Sequence, residues 1–326
     1  MRKKSNIALY VIGIFLTAVA GVLLWGALNR QWVYDWWRGM GYEPTDEMGR
    51  IMGKLELTER GEFLFKASTP RLSGSGEFNA VCRNGQDEEM AVLGCYTGDS
   101  IYIYNIQSEE LKGIRELTTA HELLHAVWAR MREEEREALK PSLATVLEQN
   151  RDALGEELDN YHTSEQQEEL YVRAGTEVKE LPEALEKHYA EIFKNQDLIA
   201  SYYAGYITVF NEIEAEMDSL KNEMSEIQAM IETKTAEYEG RIVRLNAEIN
   251  SFNACAEVLG CFKTEAEFNR QRGDLIAERD ALALIYDEIS SLIEQYNAKV
   301  EQYNADVTRT EKLNQTINSI ERVEGL

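Results

Sequence analysis

The chain has 326 residues, with 58 acidic and 34 basic side chains and a formal net charge of -24. A surface this acidic repels phosphate backbones and excludes general nucleic-acid binding. Hydrophobic residues at 44% supply material for one or two folded domains, and the acidity is spread along helical stretches as a solvated surface.

Residues 6–28 read NIALYVIGIFLTAVAGVLLWGAL and hold no charged side chain. At about 1.5 Å rise per residue, such a helix crosses a hydrocarbon layer of about 30 Å. Arg2, Lys3 and Lys4 precede it, and the first acidic residue is Asp35. The positive-inside rule therefore expects a single-pass protein with its N-terminus in the cytoplasm and its body outside. Trp25, Trp32, Tyr34, Trp36 and Trp37 cluster at the far end, where indoles favour the headgroup layer. Ala18-Val19-Ala20 resembles a signal-peptide cleavage site, whose use would release a secreted protein. The apolar run continues past it through Val22, Leu23, Leu24 and Trp25, which favours an uncleaved anchor. Residues 1–30 are thus expected as cytoplasmic tip and signal anchor, and 31–70 as a juxtamembrane connector.

Ser73-Gly74-Ser75-Gly76 marks a loop, and Ile101 to Ile106 is β-branched and aromatic enough for a strand, with the segment from Ala91 to Tyr96 as its partner. Helices are expected from Ile114 to about Glu137, around 141–155 and 164–180, and from Pro182 to Lys194. None of the four prolines lies beyond Pro182, so the rest of the chain is free to form very long helices. Phe210, Ile213, Met217, Leu220, Met224, Ile227 and Ile231 recur at steps of three and four, and Tyr238, Ile242, Leu245, Ile249 and Phe252 resume the pattern. A second run extends from Leu275 to Ile320. Heptads sustained over this length predict an antiparallel coiled-coil hairpin over 206–326, with its tip near 253–262 and arms of roughly 60–80 Å. Such a hairpin would suit a protein partner or self-association. The cysteines form two local pairs without CxxC spacing, and in an exported chain they are expected as disulfides Cys82–Cys95 and Cys255–Cys261. The fold class expected is mainly α with a small β-sheet (α+β): a transmembrane helix, a compact domain over 71–205 and the hairpin.

The sharpest motif is His121-Glu122-Leu123-Leu124-His125. Histidines four apart project from one face of a helix, where a single Zn²⁺ can accept both. Glu122 is placed as general base toward a metal-activated water, and the uncharged flanks suit a helix buried beneath a cleft. The Ile101–Ile106 strand is a candidate for edge pairing with an extended substrate.

Through Thr118-Thr119-Ala120-His121-Glu122-Leu123-Leu124-His125-Ala126-Val127 the chain resembles the zincin metallopeptidases. The metzincin extension is absent, since Ala129-Arg130-Met131-Arg132 follows Trp128. The resemblance is to the gluzincin branch, and within it to predicted bacterial membrane peptidases with short catalytic domains. It implies a third zinc ligand from a glutamate on a later helix. Glu169 is preferred, with Glu177 as alternative ligand or as its support, while Glu165 and Glu168 read as surface charge. The gluzincin aspartate that orients a histidine is replaced by Arg173, so that role is missing or supplied elsewhere. His162, His188, Tyr171 and Tyr189 are candidates to stabilise an oxyanion. The function expected is a membrane-anchored zinc endopeptidase acting on peptide or protein; the alternative is a catalytically silent envelope scaffold that works through its coiled coil.

Overall fold

The computed structural model describes residues 2–82, 93–158 and 163–318. The chain divides into two compact units, one comprising Met1–Val209 with Asn314–Leu326, the other Phe210–Leu313. The described residues are mostly helical, with one three-stranded sheet.

Helix α1 (Arg2–Leu28) holds a stretch, Tyr10–Leu28, long and apolar enough to cross a membrane, and none of that stretch is buried by the rest of the protein. Three short helices follow: α2 (Arg30–Met40), α3 (Asp46–Lys54) and α4 (Glu59–Ala67). Thr45 and Thr58 start the latter two by accepting hydrogen bonds from Met48 N and Gly61 N, which satisfies main-chain donors with no partner inside the helix. This region was expected as a connector. Instead Met48, Ile51, Leu55, Leu64 and Phe65 sit in the same hydrophobic core as the histidine helix. The connection is also polar, since Lys54 pairs with the buried Glu116 at 2.6 Å.

The sheet has the order β1–β3–β2, built from β1 (Arg71–Ser73), β2 (Gly94–Tyr96) and β3 (Ile101–Tyr104), with α5 (Ser75–Cys82) between the first two. β1 is parallel to β3 and β2 antiparallel to it. Strand β3 is therefore central, and the edges of the described sheet are β1 and β2, not Ile101–Ile106 as the sequence suggested. Ile101 and Ile103 alternate inward onto the core. The sulfurs of Cys82 and Cys95 lie at disulfide distance and tie α5 to β2.

Helix α6 (Ile114–Arg130) begins after Gly113, whose φ of +90° lies in the left-handed region that glycine enters freely. It ends earlier than expected because Met131 is extended and Glu135 reaches back to accept from Arg132 N at 2.8 Å, starting a new helix. That helix, α7 (Glu133–Gln149), runs straight through Pro141, where a start had been expected. α8 (Arg151–Leu158), α9 (Thr163–Glu177) and α10 (Glu183–Tyr189, after Pro182) complete the layer around α6, and α11 (Gln196–Ala256) and α12 (Glu265–Ile317) are the long helices.

In the second unit the two long helices run antiparallel. Lys299 pairs with Glu223, Glu288 with Lys234 and Glu278 with Arg241, so partner numbers fall along one helix as they rise along the other. Ile213, Leu220, Ile227, Leu245, Leu282 and Ile285 are buried between them. At the turn, Phe252, Phe262 and Phe268 pack with ring centroids 5.1–5.2 Å apart. Gly260 turns the chain at φ +86°, and Cys255 and Cys261 stand at disulfide distance. Thr264 then accepts from Glu267 N at 3.1 Å to start α12.

Candidate metal centre

Helix α6 is buried along most of its length, which its sequence allows because Thr118 and Thr119 return their hydroxyls to the carbonyls of Ile114 and Arg115. His121 and His125 stand one turn apart with ring centroids 5.1 Å apart. Helix α9 crosses α6 closely at Gly175, where a Cβ would come within 2.6 Å of Leu124 Cδ1 and 2.7 Å of Tyr189 Cε1. That approach brings Glu169, from the first half of α9, to the histidines. Its Oε1 lies 3.7 Å from His121 Nε2 and its Oε2 3.5 Å from His125 Nε2.

The three donor groups lie within 4.8 Å of one another. Two ligands that each sit 2.0–2.1 Å from a tetrahedral zinc stand about 3.3 Å apart, and the two histidine–Glu169 distances, 3.7 and 3.5 Å, are within a few tenths of an ångström of that. Two imidazoles and one carboxylate are also the donor set that zinc takes in open, catalytic sites. The residues present fit the ion.

Glu168 is the residue that sequence reasoning missed. Read there as surface charge, it places Oε1 2.8 Å from His125 Nδ1. A carboxylate on the far nitrogen fixes the ring so that Nε2 faces the site. It fills the orienting role that the arginine at 173 left open. Glu177 does not join the cluster; it forms a two-pronged pair with Arg173 at 2.9 Å, and Arg173 stands near enough to lower the pKa values of both His121 and Glu169.

Burial pushes His121 down to about 4. Burial acts the same way on His125, but Glu168 and Glu169 outweigh it and lift the ring to about 10. Burial would raise Glu169, yet the two histidines beside it hold the carboxyl below its ordinary value. Two carboxylates around one imidazole make a pocket that favours a positive charge. Glu122 is only 5% exposed, and burial raises its carboxyl to about 7. It accepts a hydrogen bond from the main-chain N–H of Tyr96, on strand β2. Because Leu93 and Thr97 hydrogen-bond to Tyr104 and Ser100, the alternating residues Gly94 and Tyr96 turn their main-chain groups away from β3. Gly94 is packed on α6: a Cβ there would lie 2.7 Å from Glu122 Cγ and 2.7 Å from Thr118 Cγ2.

The proposed oxyanion groups are brought together elsewhere. Tyr171 and His188 share a hydrogen bond of 2.9 Å, and Tyr189 donates to the Tyr171 carbonyl at 2.6 Å. His162 lies outside the described residues.

The carboxylate assignments have a direct test. Glu168→Gln is expected to weaken zinc binding by about 10–100-fold in competition with a chromophoric chelator. Glu177→Gln should leave that affinity within a few-fold of wild type. Equal affinity in the wild type and Glu168→Gln would return Glu168 to the solvated surface. No protein-family model, curated protein or solved structure matches this chain.

Proposed function

We propose that the chain is a membrane-anchored zinc endopeptidase of gluzincin type that hydrolyses peptide bonds in peptides or proteins. The observation that carries this is the meeting of His121, His125 and Glu169, from two helices, beside the buried carboxyl of Glu122. His121 Nε2, His125 Nε2 and the Glu169 carboxylate would hold the ion, Glu168 would orient His125, and the Arg173–Glu177 pair braces the helix behind them. Zinc, when bound, supplies Lewis acidity, which lowers the pKa of a water to about 7 and polarises a carbonyl. Glu122, with its carboxyl near neutrality, takes a proton from the attacking water at Oε1 or Oε2 and returns it to the leaving nitrogen. The outer side of β2, where Tyr96 N–H is already given to Glu122, would offer the main-chain groups of Gly94 and the Tyr96 carbonyl to an extended peptide.

The test is zinc content together with turnover. Chelation is expected to abolish cleavage of a mixed peptide library, and stoichiometric zinc to restore it; full activity in metal-free protein overturns the proposal. Gly94→Val probes the strand. The added side chain must push β2 away from Glu122, and kcat/KM should fall by at least about tenfold, since a shift of about 1 Å at an active site can cost on the order of 100-fold. Zinc affinity should hold, because Gly94 touches no ligand.

In the same reading, α1 spans the membrane with Arg2, Lys3 and Lys4 on the cytoplasmic side, and the two long helices form a coiled-coil hairpin. The alternative, a silent scaffold acting through those helices, is favoured by the apolar side chains they leave exposed, Val243, Ile276, Leu284 and Tyr286 among them. A protein that holds zinc, cleaves nothing and binds a partner through residues 210–313 would decide for the scaffold.

A further inference from the structure

Helix α2 is amphipathic in the reverse sense for a helix between a domain and water. Val33, Trp36, Trp37 and Met40 fall within about 100° of arc on one side. All four are exposed, Trp37 at 66% and Met40 at 64%. Of its three charged residues, Asp35 and Arg38 lie on the opposite side and face the protein, while Arg30 at the helix start is exposed. Asp35 is buried against Arg130, with Oδ1 2.9 Å from Nη2. Arg38 donates to the carbonyls of Ala67 at 3.0 Å and Asp99 at 2.8 Å, and to Thr69 Oγ1 and Ser100 Oγ at 3.0 Å. A helix that buries its ions and shows its indoles is costly in water on both counts. Its outward face has the residue types that settle at the boundary of headgroups and acyl chains.

The position of α2 identifies the medium. It starts at Arg30, two residues after α1 ends at Leu28; none of the apolar stretch of α1 is buried, and its Trp25 meets Trp32 of α2 edge to face with ring centroids 5.4 Å apart. We infer that α2 is seated in the headgroup layer of the bilayer that α1 enters, with Val33, Trp36, Trp37 and Met40 against lipid. The domain is then clamped to the membrane surface through Asp35 and Arg38 rather than hung from a tether. This rests on the membrane reading of α1 and is independent of any hydrolase activity.

The test uses the full chain in vesicles of phosphatidylcholine and phosphatidylglycerol, carrying an environment-sensitive fluorophore on Met40→Cys or, separately, on Val22→Cys. Met40 is twelve residues beyond Leu28, so a helix continuing straight out of the bilayer would lift it about 18 Å clear of the hydrocarbon. The expected result is blue-shifted emission at position 40, quenched by lipid spin-labelled near the headgroup end of its acyl chain. Trp37→Cys should report the same. Water-like, unquenched emission at 40 with quenching at 22 overturns the inference while leaving the anchor intact. Blue-shifted but unquenched emission at 40 also overturns it, because protein rather than lipid would then cover the face. No quenching at either position removes the bilayer premise and the inference with it. Peptidase activity enters none of these outcomes.

Discussion

Replacing Glu122 with glutamine is expected to lower kcat by about 10²–10⁴-fold and to leave the zinc content unchanged, because general acid–base transfer contributes on that order and the side chain binds no metal. The substitution is nearly isosteric. The amide oxygen of glutamine can still accept from Tyr96 N–H, so the strand should keep its place. The two roles open to a buried carboxylate then separate. Holding an ionisable carboxyl in a site that raises it to about 7 costs stability, and a neutral amide avoids much of that cost. The metal-free variant should therefore melt no lower than wild type while losing turnover. A variant that melts markedly lower and keeps its activity would make Glu122 a structural residue, and the peptidase proposal would fall with it.

The largest stability effect is expected at Asp35. Arg130 and Asp35 have side chains only 9% and 4% exposed, and Arg130 Nε and Nη2 both donate to the carboxylate. Asp35→Ala leaves a guanidinium buried without its counter-charge, and loss of one partner from such a pair costs about 3–5 kcal/mol. The drop should appear in thermal melts of the detergent-solubilised chain. Joining Asp35→Leu to Arg130→Met removes both charges, and the double variant should recover most of the loss, since buried pairs replaced by apolar residues of similar size are often neutral. Arg130 Nη1 also donates to Tyr96 Oη at 2.9 Å, so the single variant should additionally loosen β2 beside Glu122. Asp35→Ala with a wild-type melt would show that this pair is solvated, contrary to its burial.

How much of this could be read along the chain follows from which contacts are local. The histidine pair is a one-turn relation within one helix, and the span of α1 and the two long helices are periodic features; all are written in consecutive residues. The sequence preferred Glu169 to Glu177 only narrowly, because α9 is rich in acids and its crossing with α6 decides which carboxylate arrives. Glu168 was passed over because its neighbours are polar, and nothing local distinguishes a solvated glutamate from one that meets an imidazole 43 residues away. The Glu168-Glu169 doublet beside an apolar run was the one signal available. Residues 31–70 read as a connector because their helices are only nine to eleven residues long and rich in charge. The partners that make them part of the domain, Arg130 for Asp35 and Glu116 for Lys54, lie 95 and 62 positions away. Gly94 gave no sign at all, since its importance is the space it leaves for Glu122.

Glu168 and Glu169 are successive residues of a single helix, and each grips His125 by a different nitrogen. Turning α9 a few degrees about its own axis swings both carboxylates at once, so ion capture and ring alignment cannot be adjusted separately. At Gly175 α9 lies too close to Leu124 and Tyr189 to admit a Cβ. In the proposed metal site, a twist of this one helix would therefore loosen both contacts to His125 together.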